Sequence, residues 1–151
     1  MDYAITATVN GEFVGLRGFE FTHPHGHLNV FNTDTFVVWT NPQFSSDLVE
    51  FYAWLLSQPD AIGQFNHPMI GLNFYDFAYY GNVDHKIVLR EVLNTNQTLL
   101  SLNKGWHVST LLNSDTHTDN WGSQKYMGLL ASSLTEEAIL EAIRARRTFY
   151  I

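Results

Sequence analysis

Phe13-Val14-Gly15-Leu16-Arg17-Gly18-Phe19-Glu20-Phe21 is the stretch on which the fold turns. Val14, Leu16, Gly18 and Glu20 share one side of an extended chain, and Phe13, Arg17, Phe19 and Phe21 share the other. This period of two predicts a strand with Glu20 near its end. Short strands are also predicted at Leu28 to Phe31 and Thr35 to Trp39, around an Asn32-Thr33-Asp34 turn. Ser45 or Ser46 can cap a following helix, in which Leu48, Phe51, Tyr52 and Leu55 fall on one buried face and Pro59 lies past the end.

A strand from Ala61 to Asn66 then runs into His67-Pro68, where proline stops ladder pairing and leaves His67 at the C-terminal edge. Ile87 to Leu93 reads as another strand, followed by a helix from Thr95 to Lys104 that Gly105 can end in a left-handed cap. Val108 to Leu112 is a strand that gives way to the polar run Asn113-Ser114-Asp115-Thr116-His117. The last helix carries agreeing signals. Thr135 caps it, Leu134 can staple onto Ile139, Glu136 and Glu137 suit its positive end, and Arg144, Arg146 and Arg147 suit its negative end. Strands alternating with helices throughout predict an α/β architecture in a single domain.

Composition narrows the chemistry. The 151 residues are 45% hydrophobic and 15% aromatic, which supplies enough apolar surface for one folded core. A formal charge of −7 disfavours binding to nucleic acid, because phosphate neutralisation needs a basic surface. The start, Met1-Asp2-Tyr3-Ala4-Ile5, lacks a basic region followed by an apolar run, and Glu50 interrupts the apolar stretch from Leu48 to Leu56. No signal peptide, transmembrane segment or membrane partner is expected from this chain, and it does not indicate a compartment. With no cysteine, thiolate nucleophiles, disulfides and Cys-type metal sites are excluded, so any metal must be held by His, Asp and Glu.

Such donors stand where strands are predicted to end: Glu20, the His23-Pro24-His25-Gly26-His27 run, His67, and Asp115 with His117. Active sites of α/β barrels lie at that end. Asp115 and His117 are two apart, so in an extended segment both face the same way and can serve one metal or two neighbouring ones. Each also has a structural reading, since a His-Pro is commonly a turn, an Asp-x-His a loop cap and a His-rich run a surface bend.

Several strings together resemble a known family. Gly18-Phe19-Glu20-Phe21-Thr22 followed by Gly26-His27-Leu28-Asn29-Val30-Phe31 resembles the segment of the PHP (polymerase and histidinol phosphatase) superfamily in which a metal-bridging glutamate precedes a ligand histidine. Gln64-Phe65-Asn66-His67-Pro68 is similar to a later segment that supplies another histidine, and Ser114-Asp115-Thr116-His117 to the final Asp-x-His motif. Trp121-Gly122, Leu134-Thr135-Glu136-Glu137 and Arg144-Ala145-Arg146-Arg147 continue the likeness, which runs from about Phe13 to the C-terminus. Within the superfamily, the look is of the branch that contains carbaryl-type esterases.

The resemblance implies an incomplete (β/α)7-type barrel and a hydrolase that cleaves phosphate esters, or related carboxylic esters, with metal-activated water. It implies that Glu20 bridges two divalent ions, that His27 and His67 bind one of them, and that Asp115 and His117 close the cluster. Glu20 and Asp115 are the implied catalytic carboxylates. Manganese, zinc, iron and magnesium all suit such oxygen and nitrogen donors. His23 and His25 match no family ligand and read as a surface turn, with reach to a metal left short of ligands as the alternative. Trp106 and His107 read as structural, and Arg146 and Arg147 as caps for helix carbonyls, with contact to a substrate phosphate as the alternative. The family's opening His-x-His should precede the strand of Glu20, yet only twelve residues precede Phe13 and none is histidine. Two explanations stand side by side: a piece of a longer enzyme, or a reduced, non-catalytic module that binds metal or ligand. A third reading is a purely structural or oligomer-forming domain, and an exposed N-terminal strand edge is expected to favour a homo-oligomer; a monomer that seals this edge itself would favour the reduced module.

Overall fold

A computed structural model describes residues 3–118 and 125–150; the Trp121-Gly122 part of the resemblance lies outside them. In chain order, helix α1 (Tyr3–Ala7) precedes the hairpin of β1 (Gly18–His23) and β2 (Gly26–Phe31). A 3-10 turn (Pro42–Phe44) and α2 (Val49–Ser57) lead to β3 (Ile62–Asn66), then α3 (Phe74–Phe77), β4 (Ile87–Glu91), α4 (Thr95–Asn103) and β5 (Ser109–Leu111). The chain closes with β6 (Met127–Leu129), α5 (Glu136–Arg144) and β7 (Thr148–Tyr150).

The expected α/β architecture is present. Strands β1 to β5 form one mixed sheet in sequence order, antiparallel from β1 to β3 and parallel from β3 to β5. Strands β6 and β7 make a separate antiparallel pair. The Thr148 hydroxyl fastens that pair beside β5, 2.7 Å from Ser109 Oγ and 3.1 Å from the Thr110 carbonyl. Among the described residues the sheet does not close into a barrel. None of their helices is long and apolar enough to cross a membrane.

Two apolar clusters cover different parts of the sheet. Phe21, Leu28 and Phe65 join Phe51 and Leu55 of α2, Phe74 and Phe77 of α3, and Trp106 on one face. Leu140 and Ile143 of α5 cover Ile62, Val88 and Leu111 on the other. Because α5 packs toward β4 and β5, the same face of β1 to β3 keeps its polar side chains, and these build the site.

Several boundaries differ from the expectation. The first strand begins at Gly18, and Phe13 lies outside it and is exposed. Gly15 is drawn off by α1: its N–H donates to Thr8 Oγ1 at 3.0 Å, and a Cβ there would sit 2.8 Å from the Ala4 carbonyl oxygen. Phe21 is fully buried, and Phe19 packs on Trp54. The outer edge of β1 has no strand partner among the described residues, but its phenylalanines face inward. Thr35 to Trp39 is not a strand. Its alternation is real, with Val37 and Trp39 packed on the core and Phe36 and Val38 exposed, but the Thr33 hydroxyl accepts from Thr35 N–H at 3.2 Å and turns the chain locally. The α2 helix begins at Val49 rather than at a serine cap, with Asp47 accepting from the Val49 N–H at 2.8 Å. Its predicted face, Leu48, Phe51, Tyr52 and Leu55, is buried as read.

The α3 turn was not foreseen. Phe74, Tyr75, Asp76 and Phe77 have φ of 58°, 55°, 55° and 53°, a left-handed turn built without glycine. Such a conformation costs about 1–2 kcal/mol per residue. It is offset by burial of Phe74 and Phe77 and by Asn73, whose side chain accepts from Asp76 N–H at 3.2 Å and donates to Asp76 Oδ1 at 2.8 Å. Phe74 donates its N–H to the His25 carbonyl at 2.7 Å, and its ring lies where a Gly26 Cβ would be, 2.3 Å away. The β1–β2 turn and α3 therefore fix each other, and with them the first residues of β2.

Candidate metal centre

Glu20 lies opposite Asn29 in the β1–β2 register, and His27 lies opposite Asn66 in the β2–β3 register. All four side chains project from the α5 side of the sheet, on the part of that face that α5 does not cover. His67 follows β3 directly, held at φ 24°. The result is a compact donor set: Glu20 Oε1 is 3.5 Å from His27 Nδ1 and 3.2 Å from His67 Nε2. One ligand atom from each of the three lies within 4.8 Å of the others. The imidazole rings meet edge to face at 4.8 Å.

A line of amides sets the carboxylate. Gln64 Nε2 donates to Asn66 Oδ1 at 2.7 Å, and Asn66 Nδ2 then donates to Glu20 Oε1 at 2.9 Å and to Asn29 Oδ1 at 2.8 Å. Gln64 and Asn66 are buried, so their polar groups need these partners. The set fits a divalent cation on its own chemistry, with one carboxylate oxygen and two imidazole nitrogens, all partly shielded from solvent. Burial, outweighing the attraction of Glu20, lowers the His27 pKa from its ordinary value and so favours the neutral ring.

Asp115 and His117 stand apart from this group. Both line the same cleft of about 550 Å³ as Glu20, His27 and His67, but they are exposed and lie outside the close cluster. The His117 ring nitrogen Nδ1 lies 2.8 Å from the Asp115 carbonyl oxygen, and Asp115 has φ of 50°. Five expected donors thus share one cleft, and three of them are in ligand geometry.

Sequence reasoning missed Glu91, Gln64, Asn66 and Asn29. Glu91 is 2% exposed, and its Oε2 accepts from His67 N–H at 2.7 Å. A polar residue inside an otherwise apolar strand, as in Ile62-Gly63-Gln64-Phe65-Asn66, was the available signal. Trp106 and His107 are structural as expected. Trp106 is buried and donates to the Phe77 carbonyl at 3.0 Å, and His107 Nδ1 is 2.7 Å from Asp84 Oδ2. Arg146 donates to the His107 carbonyl, and Arg147 pairs with Glu141 at 2.8 Å.

His25 is exposed in the hairpin turn, but His23 is not a surface residue. It is 1% exposed and stacks on Phe21 with ring centroids 6.0 Å apart. Burial, reinforced by His25, holds it below the ordinary value of 6.5. The neutral ring therefore contributes stability that is intact above pH 6.5 and is lost as pH falls from there through the depressed folded value. Urea unfolding on either side of that window should show a smaller acid loss for His23→Phe than for wild type. Equal losses would exclude His23 as a source.

The fold and the cleft define an α/β domain with a two-histidine, one-carboxylate cluster whose geometry could hold a cation. Comparison of the chain with models of known families, with curated proteins and with solved structures finds no match.

Proposed function

We propose that the cleft binds divalent metal through Glu20, His27 and His67, with Asp115 and His117 completing the set, in a metal-dependent hydrolase of phosphate or related carboxylic esters. On this reading the parallel strands β3 to β5 are an arc of a (β/α)7-type PHP barrel. The observation that carries this reading is the convergence of Glu20, His27 and His67 within 4.8 Å on the one polar face of the sheet. A bound ion would supply water of lowered pKa and neutralise charge developing on the ester oxygen. The Glu20 carboxylate is held in a fixed position through Asn66, and His27 and His67 bring ring nitrogens beside it. Asp115 brings a second carboxylate to the same cleft.

A second reading, a non-catalytic metal-binding module, is favoured by the contact of Asp115 and His117 with each other and by their place outside the three-donor group. Elemental analysis after dialysis against manganese, zinc or iron, followed by turnover of a chromogenic phosphodiester, separates the two. Bound metal with turnover that a chelator abolishes is the expected result. Bound metal without turnover would favour the module, and a metal-free protein would defeat both.

A further inference from the structure

We infer that Glu91 is a positioning residue whose buried carboxylate ties together the two loops that carry the proposed ligands. The assignment of those ligands rests on the reading above, but the tie itself is a matter of backbone geometry. Strand β4 runs between β3 and β5, with Glu91 at its end in register with Leu111. The Val92 N–H still donates to the Leu111 carbonyl at 2.8 Å, and the ladder pairing of β4 with β3 and β5 ends here. His67 leaves β3 at φ 24° and is followed by Pro68, and Asn113 opens the loop to Asp115.

Glu91 bridges the gap on both sides. Its Oε2 accepts from His67 N–H at 2.7 Å, and its Oε1 accepts from Asn113 N–H at 3.3 Å. An amide left without its ladder partner beside a buried side chain needs another acceptor, and an ionised carboxylate makes the stronger, charge-assisted bond. Two acceptor oxygens on one side chain let Glu91 serve both loops at once, whereas glutamine would present an acceptor to one and a donor to the other. Glu91 is not a member of the close donor group. It acts on His67 through the backbone, and the His67 backbone sets where Nε2 stands, 3.2 Å from Glu20 Oε1.

A rival account is that Glu91 only adds negative charge to the cleft. Zinc titration by calorimetry and amide hydrogen exchange at His67 and Asn113, on the full chain and on Glu91→Ala, Glu91→Gln and Glu91→Asp, decides between them. Wild type should protect both amides. Glu91→Ala should lose protection at both and bind zinc about 10- to 100-fold more weakly, the usual cost of removing an outer partner of a ligand. Glu91→Asp keeps the charge but is one methylene shorter, so it should resemble Glu91→Ala. Zinc affinity at the wild-type level in Glu91→Asp, alongside weak binding in Glu91→Ala, would assign the effect to charge and overturn the tie. Should Glu91→Ala fail to fold, Glu91→Gln must lose protection at one of the two amides, and full protection at both would also overturn it. A wild-type chain that binds none of zinc, manganese and iron would defeat the metal reading, and the exchange data would still decide the tie.

Discussion

Replacing Glu20 with alanine is expected to abolish divalent-metal binding by the cleft. Glu20 supplies the only carboxylate oxygen in the three-donor group, 3.5 Å from His27 Nδ1 and 3.2 Å from His67 Nε2. Without it, the close group is reduced to two imidazoles and has no carboxylate oxygen to hold a cation. Removing an outer partner of a metal ligand costs about 10- to 100-fold in affinity, and loss of the ligand itself should exceed that range. The fold should survive, because Glu20 is partly exposed and Asn66 keeps Asn29 as an acceptor at 2.8 Å. Equilibrium dialysis with zinc, paired with circular dichroism, checks both halves. A folded Glu20→Ala protein that binds zinc as wild type does would remove Glu20 from the ligand set.

The largest effect on stability should come from Trp106→Ala. Trp106 is 2% exposed and touches aromatic rings on several sides, with Phe65 at 4.9 Å, Tyr79 at 5.4 Å and Tyr52 at 6.4 Å between centroids. Truncation opens a cavity among them and leaves the Phe77 carbonyl without the indole donor that satisfies it at 3.0 Å. Large-to-small changes of this kind cost about 3–5 kcal/mol, a large share of the roughly 5–15 kcal/mol that a domain holds in total. The strained α3 turn leans on the same indole, so the loss should fall toward the upper end. Denaturant unfolding gives the number, and a loss under about 1 kcal/mol, the scale of an ordinary surface change, would show that the aromatic cluster closes over the gap.

Much of the site was legible because its parts are local. Glu20, His27 and His67 each sit at a strand position that alternation or a proline marks, and the cleft gathers them as read. The α5 helix was legible for the same reason, with the Thr135 side chain accepting from Ala138 N–H at 3.3 Å. What escaped the sequence depends on partners far along the chain. Glu91 looked like a strand residue, and only the end of the ladder pairing of β4 with β3 and β5 gives its carboxylate a task. The left-handed Phe74–Phe77 turn has no glycine to announce it and is held by Asn73 and by Gly26 from another element. The failed strand at Thr35 to Trp39 shows the converse: periodicity reports which side chains point inward, but not whether a neighbour exists to pair with.

The β1–β2 hairpin also has a consequence in time. Glu20 and His27 meet across a tight turn at Pro24 and His25, and only His67 has to arrive from β3. Hairpins of this kind form in about 1–10 μs, and closing so short a loop carries little entropic cost. Two of the three donors can therefore be assembled before the parallel strands β4 and β5, whose pairing demands long crossovers, have found their places. An ion captured at that stage would accelerate folding as well as stabilise its end state, so the refolding rate of this chain should depend on when metal is added, and not only on whether it is present.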